Sequence, residues 1–427
     1  MAKLDIGIDL QNEYTEYAFY SEEASDVVCI SKDNKDSCLR IPNGLFVSSA
    51  DNKIYAGFEA SELNLTIAGT YYYDILAKAN EKSIVIINGK EYDYIDLFVV
   101  MMKLQLKACF GDDLEINKLI ISSPLAGTYL AAAVLKLTDA LNLSRDQVEL
   151  VSSEIAMLFY VFKQDTGVYR EGVGLYHYEE NAIRYEHVSV DRYSRPMRVK
   201  ISNKLYPFDN PNETESVVMA RPPISVDQED LQDSSFLNIV KDSMKGFDQR
   251  VSGVFLMGDS FEKGWLDESA NYLCRGRRVF VGQSIYAKGA AYAAKSGSAQ
   301  MGSNVFLESD TMIHYDIGVR VRYKNKEQIA PIVLGEKEWF NAYGSVDVFL
   351  DNTNRIEIDL YDNDKEELIQ EFIEIKGLPK RPPKTTKLSI SVNFTDEKRG
   401  EICIKDKGFG TMYPTTGKVY RKEFVLP

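Results

Sequence analysis

Residues 118–163 decide the fold, and they read KLIISSPLAGTYLAAAVLKLTDALNLSRDQVELVSSEIAMLFYVFK. Residues 118–124 form a short apolar run that ends in proline, which predicts a buried strand. An Ala-rich helix is expected over 127–143, a second strand over 148–153 and an apolar helix over 154–163. Strand, helix, strand and helix in succession are typical of a layered α/β domain.

The flanking segments extend this pattern in both directions. Residues 3–9 alternate apolar and polar side chains, which predicts a strand, and 38–58 predict two strands joined by a turn. Residues 95–109 carry apolar side chains at helical spacing. Downstream, 172–200 predict a meander of two or three strands, and the polar residues 206–234 predict a long connection.

The next part of the chain predicts a helix over 236–247, a buried strand over 252–260 and a small-residue helix over 285–295. Residues 295–304 are small, polar and rich in Gly and Ser, which is typical of a flexible link. Almost everything beyond this link alternates with period two between turn residues, and that pattern predicts a small antiparallel β sandwich.

The sequence therefore predicts two folded parts of different class. We expect an α/β domain over 1–298, a linker over 299–306 and an all-β sandwich over 307–427.

Composition excludes several classes of function. The chain has 427 residues, of which 44% are hydrophobic, and its formal net charge is −14. An acidic protein lacks the basic face that non-specific nucleic-acid binding needs, so we expect no nucleic-acid partner. No apolar run follows a basic start and none reaches the length of a membrane span, so we expect a cytoplasmic protein without a signal peptide or membrane contact.

The cysteines and histidines are few and scattered. An odd number of cysteines without a C-x-x-C pair predicts free thiols in a reducing compartment. Three histidines without a Cys/His cluster argue against a structural zinc site, so no metal ligands are predicted. The cysteines are Cys29, Cys38, Cys109, Cys274 and Cys403, and the histidines are His177, His187 and His314.

No complete catalytic or nucleotide-binding motif is present: the chain lacks a P-loop, a nucleophile elbow, an H-E-x-x-H pair and a full G-x-G-x-x-G. The order of its segments is more informative. It resembles the actin-like ATPase superfamily, and the all-β tail narrows the resemblance to the DnaK-type heat-shock chaperones. The segments that carry the resemblance are IGID (6–9), RIPNGLFVSSADNKIYAGFEA (40–60), KLIISSPLAGTYLAAAVLKLTDALNL (118–143), VELVSSEIAMLFYVF (148–162), MGDS (257–260) and YAKGAAYAA (286–294).

The resemblance implies an actin-like (ribonuclease H-like) two-lobed domain followed by a peptide-binding β sandwich. It also implies an ATP–Mg²⁺ site, yet the first phosphate loop departs from the family. The family has Asp-Leu-Gly-Thr-Thr, whereas here Asp9 and Leu10 are followed by Gln11, Asn12 and Glu13. The glycine that permits close backbone approach is lost, and a carboxylate lies where phosphates would bind.

The second phosphate loop departs further. The family's Asp-Leu-Gly-Gly-Gly-Thr corresponds to HYEENA (177–182), which has no glycine, a His in place of the metal-binding Asp, and two added carboxylates. The helical subdomain that clamps adenine in the family is also reduced to little more than a connection. Any remaining nucleotide binding would use Gln11, Asn12, Tyr178, Gly258, Asp259 and Ser260.

These departures predict little or no ATP hydrolysis, with Asp9 and Glu154 as vestigial catalytic residues and no bound cofactor. In the β domain, Phe349, Ile356 and Ile358 resemble positions that line the family's peptide pocket. The alternative is that they are sandwich core residues. The chain stops at Pro427 without the family's helical lid, so any bound peptide is expected to leave quickly.

The leading interpretation is a catalytically inactive DnaK-like protein that binds a protein or an extended peptide. Two alternatives stay open. One is a weak or atypical ATPase that uses Asp9, Glu154 and a shifted Thr15. The other is an assembly subunit, since actin-like folds polymerise.

Overall fold

The computed structural model divides into two compact units, Met1–Leu125 with Ala133–Ser309, and Ala126–Ala132 with Asp310–Pro427. The expected linker 299–306 lies largely outside the residues that the structure describes. The described residues are 3–31, 38–179, 181–208, 226–245, 250–258, 260–261, 264–282, 284–297, 305–324, 326–351 and 353–427.

The first unit mixes strands and helices. Its strands are β1 (Leu4–Leu10), β2 (Tyr14–Ser21), β3 (Asp26–Cys29), β4 (Ile41–Pro42), β5 (Leu45–Ser48), β6 (Ile54–Ala56), β7 (Gly69–Tyr72), β8 (Ile84–Ile87), β9 (Lys90–Asp93), β10 (Ile116–Ser123), β11 (Val148–Ser152), β12 (Val173–Tyr178), β13 (Ala182–Asp191), β14 (Met197–Pro207), β15 (Gly253–Met257), β16 (Arg278–Val281) and β17 (Val305–Glu308). The α-helices in the described residues are α1 (Gly57–Thr66), α2 (Ile75–Asn80), α3 (Tyr94–Phe110), α4 (Thr128–Ala140), α5 (Ser153–Lys163), α6 (Val226–Ser243), α7 (Glu268–Leu273) and α8 (Ile285–Ser296).

Two sheets with the same strand order form the framework of the first unit. The first sheet has the order β3-β2-β1-β10-β11, with β2 antiparallel to β1, while β10 and β11 run parallel to β1. The second has the order β14-β13-β12-β15-β16, with the same senses, and β17 is added beside β14. In each sheet the parallel strands end at a common edge, which is where open α/β sheets usually bind ligands.

Helix α8 packs closely because its side chains are small. A Cβ added to Gly289 would lie 1.8 Å from the carbonyl oxygen of Ala156 on α5. A Cβ on Gly7 of β1 would lie 2.0 Å from the backbone nitrogen of Ala291 on α8. The backbones of β1, α8 and α5 are therefore in direct contact, and this explains the Gly/Ala-rich sequence of α8.

The cysteine prediction is wrong for one pair. Cys29 and Cys38 form a disulfide with their Cα atoms 4.8 Å apart, whereas Cys109, Cys274 and Cys403 are free. The pairing arises because the chain returns antiparallel after β3, where the Leu39 amide donates to the Ile30 carbonyl at 2.8 Å. A separation of nine residues carries no disulfide signal of its own, and only the return of the chain brings the two thiols together.

The connection predicted over 206–234 is also partly wrong. Residues 209–225 lie outside the described part, but α6 already begins at Val226 and ends at Ser243, not over 236–247. Asp233 is buried on this helix and accepts hydrogen bonds from the backbone amides of Glu268 and Ser269 in the first turn of α7. A polar residue that the composition assigns to a linker thus joins two helices here, because Asp233 caps the start of α7.

The second unit consists mainly of two antiparallel four-stranded sheets, β20-β19-β23-β24 and β22-β25-β26-β27. Inward-facing residues of both sheets form one apolar core. Its strands are β18 (Met312–Ile313), β19 (Tyr315–Tyr323), β20 (Lys326–Val333), β21 (Lys337–Glu338), β22 (Gly344–Leu350), β23 (Arg355–Asp362), β24 (Glu367–Glu374), β25 (Thr386–Phe394), β26 (Arg399–Gly408) and β27 (Val419–Val425).

Within the described ranges, every helix is too short or too polar to cross a membrane.

Candidate functional site: a buried charged cluster between β1 and β12

Asp9 lies near the end of β1, between Glu16 on β2 and Ser122 on β10 in the strand register. Residues in register on neighbouring strands point to the same face of a sheet, so these three side chains share one surface. Asp9 is buried, and burial together with the charge of Glu16 raises its pKa well above the ordinary value. Gln11 Nε2 donates to Asp9 Oδ1 at 2.7 Å, whereas Ser122 Oγ is buried without a partner among the described residues.

The second sheet contributes a matching set from β12 and β13. His177 pairs in register with Arg184, and Glu186 follows two residues further along β13 on the same face. Burial and the nearby Glu154 raise the pKa of Glu186 to about 7. The hydroxyl of Tyr286 on α8 donates to the Glu186 carboxylate at 3.3 Å, so this hydrogen bond joins α8 to the second sheet.

Two arginines partly compensate the carboxylates. Arg40 Nε lies 3.2 Å from Glu16 Oε1, and Arg184 Nε lies 2.7 Å from Glu179 Oε1. Burial, reinforced by the arginine charges, lowers the pKa of His177 to about 3, so its ring is neutral near pH 7. We call this set the buried charged cluster, and its members are Asp9, Glu16, Arg40, His177, Glu179, Arg184, Glu186 and Tyr286.

The turn between β1 and β2 is closed by its own hydrogen bonds. The Gln11 amide donates to the Tyr14 carbonyl at 3.0 Å, and Asn43 Nδ2 donates to the Gln11 carbonyl at 2.7 Å. Thr15 is buried, and its hydroxyl donates to Asn43 Oδ1 at 2.6 Å. Asn12 Oδ1 is buried without a partner in the described part of the chain. This turn therefore directs its polar groups toward Asn43 and is not arranged as an open anion cradle.

Glu154 lies in the first turn of α5 and contacts a different part of the site. Its carboxylate accepts from Asn203 Nδ2 at 3.3 Å and from the Ser309 hydroxyl. Its charge contributes to the raised pKa of Glu186, so the two carboxylates are electrostatic neighbours.

The remaining predicted nucleotide residues form a separate group. Tyr178 points to the opposite face of β12 from His177, where its ring packs against Phe208 and Phe261. Its pKa is raised by burial, which outweighs hydrogen bonds that include one with Ser260. Gly258, with φ of +109°, has no room for a Cβ, which would lie 2.7 Å from the Tyr178 carbonyl oxygen.

The predicted nucleotide-binding residues thus lie in two separate places, the turn after β1 of the first sheet and the apolar side of the second sheet. Gln11 donates to Asp9 of the buried charged cluster, and Asn12 follows in the adjoining turn. Tyr178, Gly258 and Ser260 belong instead to the apolar side of the second sheet. Asp259 lies outside the described residues.

Sequence reasoning missed five members of the cluster, Glu16, Arg40, Arg184, Glu186 and Tyr286. The available signal was alternation: on β13 the charged residues Arg184 and Glu186 alternate with Ile183 and Tyr185. Such a pattern usually places the charged side chains in solvent. Here α8 covers that face and contributes Tyr286, so Glu186 is buried and Arg184 is half-buried.

The predicted peptide-pocket residues of the second unit have different environments. Ile356 and Ile358 are buried in its apolar core, which agrees with the alternative interpretation of them as sandwich core residues. Phe349 is 48% exposed at the end of β22, and its ring centroid lies 6.0 Å from that of Phe409.

The donor set of the buried charged cluster does not fit a magnesium–triphosphate group. Phosphate oxygens require N–H donors or cations, and Arg40 and Arg184 are already paired with carboxylates. In the ranges that the structure describes, no group of three or more Asp, Glu, His or Cys residues is arranged to hold a metal ion. What the cluster can do is hold a proton near neutral pH, on the Glu186 carboxyl.

Fold and site together define a two-unit protein, with a duplicated α/β sheet framework around a buried charged cluster and a unit of two antiparallel sheets. Residues 26–309 match the model described as the C-terminal part of a family of unknown function, DUF5716, and the chain belongs to this family. Residues 312–426 match a domain of unknown function, DUF8552. No curated protein matches the chain.

Proposed function

We propose that the chain is a DnaK-like protein of the cytoplasm that no longer hydrolyses ATP and acts as a protein- or peptide-binding scaffold. Three features support this proposal. Two sheets of identical strand order are compatible with the two lobes of an actin-like domain. The predicted phosphate-binding strands β1 and β12 both begin their sheets' antiparallel meanders. An antiparallel unit of two sheets follows them in the chain.

The observation that carries the loss of hydrolysis is the buried charged cluster. A nucleotide triphosphate brings several negative charges, and its Mg²⁺ needs accessible oxygen ligands. Here Asp9 already accepts a hydrogen bond from Gln11, and the cluster holds more carboxylates than cations. Placing a triphosphate beside Asp9, Glu16 and Glu186 would add negative charge where burial already raises carboxyl pKa values.

The test is calorimetric titration of the full chain with Mg-ATP, together with a phosphate-release assay. We expect neither saturable heat nor phosphate release. A thermal melt provides a second readout, because ligand at about 100 times its Kd stabilises a folded protein by about 2.7 kcal/mol. A micromolar Kd with phosphate release would show a working ATPase, and loss of that turnover in Asp9→Asn would then identify the alternative mechanism.

The assembly alternative has an observation of its own. Strand β8 pairs only with β9 in the described residues, and it exposes Ile84 (60%) and Ile86 (70%). An exposed apolar edge strand is a template for pairing with another chain. Light scattering against protein concentration tests this: growth of the scattered mass that Ile86→Lys abolishes would favour an assembly subunit, whereas a monomer at all concentrations would exclude it.

A further inference from the structure

The loop between β26 and β27 in the second unit is held by a buried ion pair. Asp406 is fully buried, and Arg381 Nη1 lies 3.0 Å from its Oδ1 atom. The same carboxylate accepts hydrogen bonds from the Gly408 amide at 2.9 Å and from the Thr416 amide at 2.8 Å. Burial opposes ionisation of Asp406, but these partners outweigh it and keep its pKa well below the ordinary value. Both ends of the loop are therefore fixed to one charged side chain.

A buried ion pair is costly to desolvate and is weak evidence for stability alone. What this one orders is a loop with exposed apolar side chains, since Phe409 is 44% and Met412 is 75% exposed. The loop closes on itself through a hydrogen bond from the Phe409 amide to the Tyr413 carbonyl at 2.6 Å. Preordered apolar side chains on a surface loop are typical of binding sites, because little entropy is lost when a partner docks.

Phe349 extends this surface onto β22, which β25 separates from β26 in the sheet. Its ring meets Phe409 edge to face, and both rings are about half exposed. We call Phe349, Phe409 and Met412 the apolar ridge. Aromatic residues of this kind, fixed and accessible, supply much of the energy in protein interfaces.

Lysines line the outer face of the sheet beside the apolar ridge. Phe349 on β22 is opposite Lys387 on β25, and Lys387 is opposite Gly408, next to Lys407 on β26. Lys405 lies one outward position further along β26. Lys387 pairs with Asp347 at 2.8 Å, and the charge of Lys407 helps Lys387 to lower the pKa of Asp347. Lys405 and Lys407 are exposed and form no ion pair within the described ranges. In a chain of net charge −14, this is a local excess of positive charge.

We propose that the outer face of the sheet from Phe349 to Lys405 is a docking surface for an acidic protein segment that carries an apolar side chain. The apolar side chain packs on the apolar ridge, and the carboxylates of the segment meet Lys405 and Lys407. Charge complementarity favours this occupant over a basic or uncharged one. The inference rests on the proposed role of the second unit in protein binding, and it names the chemistry of the partner.

The test is fluorescence anisotropy of the full chain with a labelled peptide, Gly-Asp-Glu-Leu-Phe-Glu-Asp-Gly, and with a matched peptide in which lysine replaces each acidic residue. We expect saturable binding of the acidic peptide only, weakening as salt rises. The double variant Lys405→Glu with Lys407→Glu should weaken binding at least tenfold, and so should Phe349→Ala, which leaves the charges in place.

The matched control is Lys324→Glu with Lys326→Glu, which reverses two exposed lysines at the β19–β20 hairpin of the other sheet. It should leave binding within twofold of the parent. Loss of binding in this control but not in Lys405→Glu with Lys407→Glu would overturn the proposed surface. If the lysine peptide bound equally well, the proposal that the partner is acidic would be overturned, but protein binding by the second unit would still be supported. If neither peptide bound, the docking surface itself would be overturned.

Discussion

At the residue scale, Glu186 is a buried carboxyl whose ionisation opposes folding. Its side chain is buried, its pKa is raised to about 7, and its hydrogen bond comes from the Tyr286 hydroxyl on α8. His177 acts in the opposite sense, since burial lowers its pKa to about 3. The His177 contribution to stability therefore falls as pH drops from about 6.5 toward 3, because the unfolded state binds the proton more readily.

Replacing Glu186 by Gln should stabilise the protein at alkaline pH. The folded state holds the Glu186 proton up to about pH 7, whereas the ordinary value is 4.5, so the carboxyl favours unfolding increasingly as pH rises between these values. The shift corresponds to about 3 kcal/mol. Urea unfolding should show Glu186→Gln more stable than the parent at pH 8 by up to that amount, and nearly equal at pH 4.5.

The control is Glu154→Gln, which removes a neighbouring charge that is only partly buried. Glu154→Gln should raise the free energy of unfolding at pH 8 by less than Glu186→Gln does. If Glu186→Gln were no more stabilising at pH 8 than at pH 4.5, the pKa of Glu186 would not be raised in the folded protein.

At the element scale, α8 joins the parts of the first unit. Gly289 lets it touch α5, Gly7 lets it touch β1, and Tyr286 reaches Glu186 on β13. The Cys29–Cys38 disulfide packs against Ala287 and Ala291 of the same helix. Substitutions on the packed faces of α8 should therefore lower the stability of the whole first unit.

Gly289→Ala tests the close packing of α8. Helix propensity alone would make this change favourable by about 1 kcal/mol. The added Cβ would lie 1.8 Å from a backbone oxygen, and overpacking costs about 1–3 kcal/mol or more. We expect urea unfolding to show that Gly289→Ala has a lower free energy of unfolding than the parent. The control is Ser296→Ala in the last turn of α8, whose free energy of unfolding should equal that of the parent. A stabilised Gly289→Ala variant would contradict the backbone contact between α8 and α5.

Removing the disulfide should also destabilise the first unit. A closed loop of this length is worth about 2–3 kcal/mol through the entropy of the unfolded chain. Cys29→Ser with Cys38→Ser should lower the Tm, whereas Cys274→Ser, at an exposed free thiol, should leave it unchanged. An independent check is to denature the parent protein without reducing it, alkylate its free thiols and count the labels by mass spectrometry. Three cysteines should be labelled.

At the scale of the whole molecule, each unit has its own core. The core of the second unit contains residues from Ile313 to Leu426 only, and the buried charged cluster lies in the first unit. Units with separate cores are expected to unfold in separate steps.

Scanning calorimetry should therefore show two transitions. Reduction with dithiothreitol should lower only the transition of the first unit, since both bonded cysteines lie there. Arg381→Leu should lower only the other, because it leaves Asp406 buried without its ion-pair partner, a change that typically costs about 3–5 kcal/mol. A single transition that both changes shift together would show that the units unfold cooperatively.

Much of the local structure follows from patterns in the sequence. The alternation in 3–9, the helical spacing in 95–109 and the strand–helix succession in 118–163 all correspond to elements of the structure. These elements are predictable because each must bury one face, and the spacing of its apolar residues shows which face that is. The extent of α6 was not predictable in this way, since its polar residue Asp233 is buried by hydrogen bonds from the first turn of α7.

By itself, the sequence determined the class of each part, the strands β1 and β12, and Asp9 at the end of the first strand. Only the tertiary structure decided which side chains surround Asp9, that Tyr178 packs against Phe208 and Phe261, and that Cys29 meets Cys38. The physical reason is that local spacing fixes which way a side chain points. What it meets there depends on the strands and helices that arrive from distant parts of the chain.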